Sequence, residues 1–123
     1  MFLIDSSIWL DHFADTNKEA TNIIEGPYVL FSSILSLFEI KKRLIKLGFD
    51  NKVDECMKLI FLRSSIVDLN EELVDSAVDL SLHFKLGTID SIIYSSALFN
   101  GLTLVTSDND FRGLDNVKLI NKL

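Results

Sequence analysis

Five carboxylates stand where chain geometry could gather them. The stretch "LVTSDNDF", residues 104–111, ends an apolar run at Thr106 and follows it with Asp108 and Asp110. Asp5 follows the apolar run Phe2, Leu3, Ile4 in the same way. Asp90 opens the segment "DSIIYSSALF", and Glu39 interrupts the apolar stretch "ILSLFEI". Like charges held close together repel, so such acids need open water or a cation. A hard divalent cation such as Mg²⁺ or Mn²⁺ takes oxygen ligands and keeps several waters, so a few carboxylates from different elements suffice. One or two such ions, about 3.5–4 Å apart if paired, would clamp the attacking water and the leaving oxygen of a phosphodiester. The chemistry to expect is metal-assisted hydrolysis.

Each acid also has an ordinary alternative. Asp5 can cap a helix. Asp90 suits the positive end of its helix dipole. Glu39 can pair with Arg43 one turn on, although an unpaired acid among apolar neighbours is costly. Asp108 and Asp110 can close Asx-turns. All of these must hold together for the metal reading to fail.

The elements that would position the acids alternate along the chain. Strands are expected at 1–4, 28–32, 65–69, 102–106 and 117–120, each a continuous apolar run. Helices are expected over "SSIWLDHF", from Ser32 or Ser33 to Leu47, over about 51–63, from Asn70 to about Lys85, and over 89–100 behind Thr88. In the third helix Val53, Cys56, Met57, Ile60 and Phe61 form an i, i+3, i+4, i+7, i+8 stripe. In the fourth, Leu73, Ala77, Leu80 and Phe84 are placed inward. Continuous strands alternating with helices imply an α/β fold with a mostly parallel sheet of about five strands covered on both faces. Ligands of open α/β sheets bind outside the carboxyl ends of the strands. Asp5 and Asp108 follow two such ends.

Composition narrows the class. A chain of 123 residues, 48% apolar with nine phenylalanines and one proline, suits a single ordered domain over 1–123. No apolar run approaches the roughly eighteen residues of a membrane span. The N-terminus has no basic n-region or cleavage site, so a cytoplasmic location is expected. Cys56 is the only cysteine, which excludes internal disulfides and disfavours a thiolate zinc site. A net charge of −6 argues against a general nucleic-acid coat. A metal-dependent nuclease escapes that objection, because cations neutralise its acids and a local basic strip suffices. No nucleophile elbow or phosphate-cradling glycine loop is present. His12 and His83 have no metal or triad spacing, and Cys56 and Trp9 read as packing residues.

The combination of "FLIDSSIWLD", "SSILSLFEI" and "LGTIDSIIYSSALFNGLTLVTSDNDF" resembles PIN-domain ribonucleases, most closely VapC-type toxins. The resemblance covers nearly the whole chain. It implies a three-layer α/β/α fold and Mg²⁺- or Mn²⁺-dependent cleavage of RNA leaving a 3′-hydroxyl. It implicates Asp5, Glu39, Asp90 and Asp108 as catalytic metal ligands. Ser6, Thr106 and Asp110 fall at supporting positions, and Ser91 stands where the family often has alanine. The resemblance also implies a homodimer and an antitoxin. The tail of that antitoxin would cover the cleft with an arginine and rest on apolar residues such as Ile8, Trp9, Phe13, Leu44 and Leu47.

Lys42, Arg43 and Lys46 follow Glu39 by three, four and seven residues and are expected to share its face, guiding the RNA backbone. Arg112 is a weaker candidate. Rival readings are an RNA-processing PIN endonuclease with no toxin role, a non-catalytic PIN interaction module, and a phospho-acceptor receiver domain. The last expects a lysine near the end of the final strand, whereas Lys118 lies inside it.

Overall fold

A computed structural model describes residues 1–122. Five short strands form one sheet: β1 Phe2–Ile4, β2 Leu30–Ser33, β3 Ser64–Val67, β4 Thr103–Thr106 and β5 Val117–Leu119. Every pairing is parallel and the order is β3-β2-β1-β4-β5. Six helices connect them: α1 Ser6–Ala14, α2 Lys18–Glu25, α3 Ile34–Lys46, α4 Val53–Arg63, α5 Glu71–Phe84 and α6 Thr88–Phe99.

Alternate residues of the central strands feed two cores, because successive side chains of a strand point to opposite faces. Ile4 and Val105 pack with Ile8 and Trp9 of α1, Ile23 of α2, Ile40 of α3 and Ile60 of α4. Leu3 and Leu104 pack on the other side with Ile93, Tyr94 and Ala97 of α6 and with Phe111. The result is the expected three-layer α/β/α sandwich. Burial on both faces explains why the strand sequences are apolar throughout rather than alternating. Trp9 is core, and its Nε1 donates to Ser32 Oγ at 3.0 Å.

Several details differ from the sequence reading. Helix α2 was not anticipated. It is eight residues long, and Asn17 caps it by accepting from the N–H groups of Glu19 and Ala20. Its apolar signal is only Ala20, Ile23 and Ile24. Gly87, not Thr88, is the N-cap of α6. Lys85, in the left-handed region at φ 57°, closes α5 where the sequence reading placed its end. In α4 Cys56, Met57 and Ile60 are buried as expected, but Phe61 is 57% exposed. Phe84 likewise lies 41% exposed at the end of α5, edge-on to Tyr94.

The topology decides where ligands go. From β1 the chain builds outward through β2 to β3, then returns to the other side of β1 for β4 and β5. The reversal falls between β1 and β4, and the carboxyl ends of those two strands border the crevice it leaves.

Candidate metal centre

Asp5 is the first residue beyond β1, and its N–H is bonded to the carbonyl of Val105 in β4 at 3.0 Å. It is the N-cap of α1 by position, but its side chain caps nothing. Its carboxylate is buried and instead receives two hydroxyl donors on one oxygen. Thr106 Oγ1 donates to Oδ2 at 2.8 Å and Ser7 Oγ donates to the same atom at 2.9 Å. Burial pushes the Asp5 carboxyl above its ordinary value. The bonds from Thr106, Ser7 and the Ser6 backbone pull the other way, and Asp108 adds a smaller upward push.

Asp108 stands two residues beyond β4. Its N–H is held by Thr106 Oγ1 at 3.0 Å, and its Oδ1 accepts the N–H of Asp110 at 2.9 Å. That second bond curls residues Asn109–Phe111 into one 3-10 turn and brings Asp110 back towards Asp108. Asp90, in the first turn of α6, meets this loop. One carboxylate oxygen from each of Asp90, Asp108 and Asp110 lies within 4.8 Å of the other two. Burial and the charges of Asp108, Asp5, Asp110 and Glu39, in that order, raise the Asp90 carboxyl to about 6.

Glu39 comes from the second turn of α3. Ser6 Oγ donates to its Oε1 at 3.3 Å. Burial, followed by the charges of Asp5 and Asp108, raises its carboxyl. No cation is paired with any of these acids among the described residues. The structure thus brings Asp5, Glu39, Asp90, Asp108 and Asp110 to one edge of the sheet. Asp110, read as a supporting residue, forms the close group with Asp90 and Asp108. Its position depends on the 3-10 turn, which residue type alone does not specify.

The basic residues divide. Lys42 Nζ lies 5.8 Å from the centre of the Phe38 ring, and Lys46 is exposed. Arg43 lines a groove of about 630 Å³ between α1, α3 and α4, together with Phe13, Leu44 and Leu47. Ile8 and Trp9 do not line it, because they are buried in the core beneath. Arg112 is engaged locally, donating to Asn109 Oδ1 at 2.8 Å. Ser91 is buried in α6 with its hydroxyl donated to the Thr88 carbonyl. Sequence reasoning passed over Ser7 as a site residue. Its only signal was its place two residues after Asp5, and the partner it meets in the loop after β4 is about a hundred residues away.

The donor set fits a divalent cation. It consists of carboxylate oxygens, the hard donors that Mg²⁺ and Mn²⁺ prefer, and it offers no thiolate or imidazole. Burial, reinforced by the charges of neighbouring acids, holds Asp5, Glu39 and Asp90 above their ordinary pKa values.

The fold and site together define a class: a five-stranded parallel α/β/α sandwich with an acid-lined crevice at its switch point. The family model for the PIN domain matches residues 2–117, and the chain belongs to that family. No curated protein matches it by sequence. Its fold is similar to a toxin–antitoxin complex from Klebsiella pneumoniae, at 22% identity and TM-score 0.83, with all of both chains covered. It is also similar to VapBC2 from Rickettsia felis bound to a DNA fragment from its promoter, at 18% identity and TM-score 0.80, covering 99% of this chain and 98% of that one. A third is Mycobacterium tuberculosis VapC20, a sarcin–ricin loop cleaving toxin, at 13% identity and TM-score 0.76, covering 94% and 95%.

Proposed function

We propose that the protein is a Mg²⁺- or Mn²⁺-dependent endoribonuclease and the toxin of a toxin–antitoxin pair, acting in the cytoplasm. The observation that carries this reading is the meeting of Asp5, Glu39, Asp90, Asp108 and Asp110 at the crevice between β1 and β4. Membership of the PIN family supports the nuclease chemistry. Full-length similarity of fold to chains from toxin–antitoxin complexes supports the toxin role and an antitoxin partner. No described helix is long and apolar enough to cross a membrane. The groove beside α1, with its apolar floor of Phe13, Leu44 and Leu47, is the surface we assign to the antitoxin. The outward apolar residues Val74, Val78 and Leu82 on α5 support a homodimer.

In this reading Asp5, Asp90, Asp108 and Glu39 hold the cation, with Asp110 beside them. When bound, the cation lowers the pKa of water and offsets charge that develops on the phosphoryl oxygens. Thr106 and Ser7 fix the Asp5 carboxylate so that it does not rotate when the site fills. Glu39 has one side-chain bond, the long one from Ser6, and stands outside the close group of Asp90, Asp108 and Asp110. It accepts the proton of the attacking water. Lys42 and Lys46 hold the RNA backbone by charge.

The test is cleavage of RNA by the purified protein with and without Mn²⁺, beside an Asp5→Asn variant. Cleavage only with Mn²⁺, and its loss in the variant, is the expected result. Metal-independent cutting, or undiminished cutting by Asp5→Asn, contradicts the mechanism. Growth arrest on expression, relieved by a small protein encoded next to the gene, separates the toxin reading from an RNA-processing PIN endonuclease.

A further inference from the structure

We infer that Ser7 is a positioning residue of the acidic site, tying the Asp5 carboxylate to the loop that carries Asp108. The inference rests on the metal-dependent reading above and deepens it. Ser7 Oγ lies 2.9 Å from Asp5 Oδ2, 3.4 Å from Thr106 Oγ1 and 3.1 Å from the backbone N of Ser107. A hydroxyl has one proton and two lone pairs, so the roles can be assigned. The Ser107 N–H must donate to Ser7, and Asp5, as a carboxylate, must accept from it. Thr106 is used in the same way: its proton goes to Asp5 Oδ2 at 2.8 Å and its oxygen accepts the Asp108 N–H at 3.0 Å. Both hydroxyl protons are therefore spent on one carboxylate oxygen, and the 3.4 Å approach between the hydroxyls is contact, not a bond.

Two successive N–H groups of the loop, those of Ser107 and Asp108, thus hang on the same two hydroxyls that hold Asp5. Residues from the start of α1 and from the end of β4 become one unit. Among the described residues no side chain donates to Asp5 Oδ1. The arrangement turns one oxygen inward to its donors and leaves the other for a ligand. Without Ser7 Oγ, Asp5 keeps only Thr106 as side-chain donor and the N–H of Ser107 loses its acceptor. The carboxylate can then rotate, and the spacing between Asp5 and Asp108 loosens. Residues that orient metal-binding groups typically change metal affinity about 10–100-fold when removed.

The experiment is titration calorimetry of Mn²⁺ into metal-free wild type, Ser7→Ala and Ser7→Thr, alongside RNA cleavage over a range of Mn²⁺ concentrations. Ser7→Ala is expected to bind Mn²⁺ about 10–100-fold more weakly. Its cleavage rate should recover largely at saturating Mn²⁺, because Ser7 touches neither substrate nor the reacting atoms. Ser7→Thr keeps the hydroxyl and is expected to stay within about threefold of wild type. If Ser7→Ala does not fold, Ser7→Cys serves instead: it keeps the volume with a much weaker donor, and the same loss of affinity is expected. Wild-type binding of Mn²⁺ with the folded variant within about twofold of it overturns the Ser7 assignment alone. A wild type that binds no Mn²⁺ overturns the metal reading, and the Ser7 assignment with it.

Discussion

Replacing Asp90 with asparagine should make the metal-free protein more stable while destroying its response to metal. Burial first, then the charges of Asp108, Asp5, Asp110 and Glu39, hold the Asp90 carboxyl at about 6 instead of the ordinary 3.8. At about 1.36 kcal/mol per tenfold change, keeping it ionised at pH 7.5 costs the folded state about 3 kcal/mol. Asp90 is only half-buried, and solvent screening reduces that figure to about 1.5 kcal/mol. The sign follows from linkage. Between 3.8 and about 6 the folded state holds more protons than the unfolded chain, so stability falls as pH rises through that window. Above it the full cost is present. Asparagine at this position carries no charge and escapes it. For a domain of this length about 4 °C per kcal/mol is reasonable, so Asp90→Asn should melt about 6 °C higher than wild type in EDTA at pH 7.5. The gap should shrink towards pH 4, where Asp90 is protonated in the folded state and about half protonated in the unfolded chain. Adding Mn²⁺ should raise the melting point of wild type and leave the variant largely unmoved. Equal melting points in EDTA at pH 7.5, or a gap that persists undiminished at pH 4, would refute the electrostatic reasoning.

Other consequences can be checked directly. Thr106→Val keeps the shape of the side chain but strips Asp5 of a donor and the Asp108 N–H of its acceptor, so chemical denaturation should show a loss of about 1–3 kcal/mol together with weaker Mn²⁺ binding. Arg63 donates to the carbonyls of Ile24, Gly26 and Tyr28, clamping the connection between α2 and β2. Arg63→Ala should cost about 2–3 kcal/mol in the same assay without changing Mn²⁺ affinity. Changing Lys42 and Lys46 together to alanine should weaken RNA binding and lower its log–log salt slope by about 1.4. Arg43→Ala, whose side chain lines the groove, should leave that slope nearly unchanged.

Much of this arrangement was legible in the amino-acid order, for physical reasons. Strands buried on both faces have to be apolar throughout, so "FLI" and "LTLVT" announced themselves. Asp5 and Asp108 stood out because a carboxylate directly beyond a buried strand has few ways to be satisfied. Glu39 was conspicuous against Leu37 and Ile40, both buried, on the same helix. What the sequence withheld is what depends on distant partners. Helix α2 shows only three buried apolar residues, too short a pattern for periodicity to detect. Phe61 and Phe84 look like core by residue type, yet the fold covers them only in part, and a helical stripe does not say how wide its partner is. Ser7 reads as an ordinary helix-start serine until the loop after β4 is placed against it. Asp110 joins Asp90 and Asp108 only because Asp108 Oδ1 captures its N–H and curls the turn.

The most direct measurement of the central claim is an anomalous scattering map from crystals of the protein soaked in Mn²⁺. Manganese at the crevice beyond β1 and β4, ligated by oxygens of Asp5, Asp90, Asp108 or Glu39, is the expected result. A map with no manganese among these acids, at concentrations of the ion that support RNA cleavage, would contradict the claim that they exist to hold it.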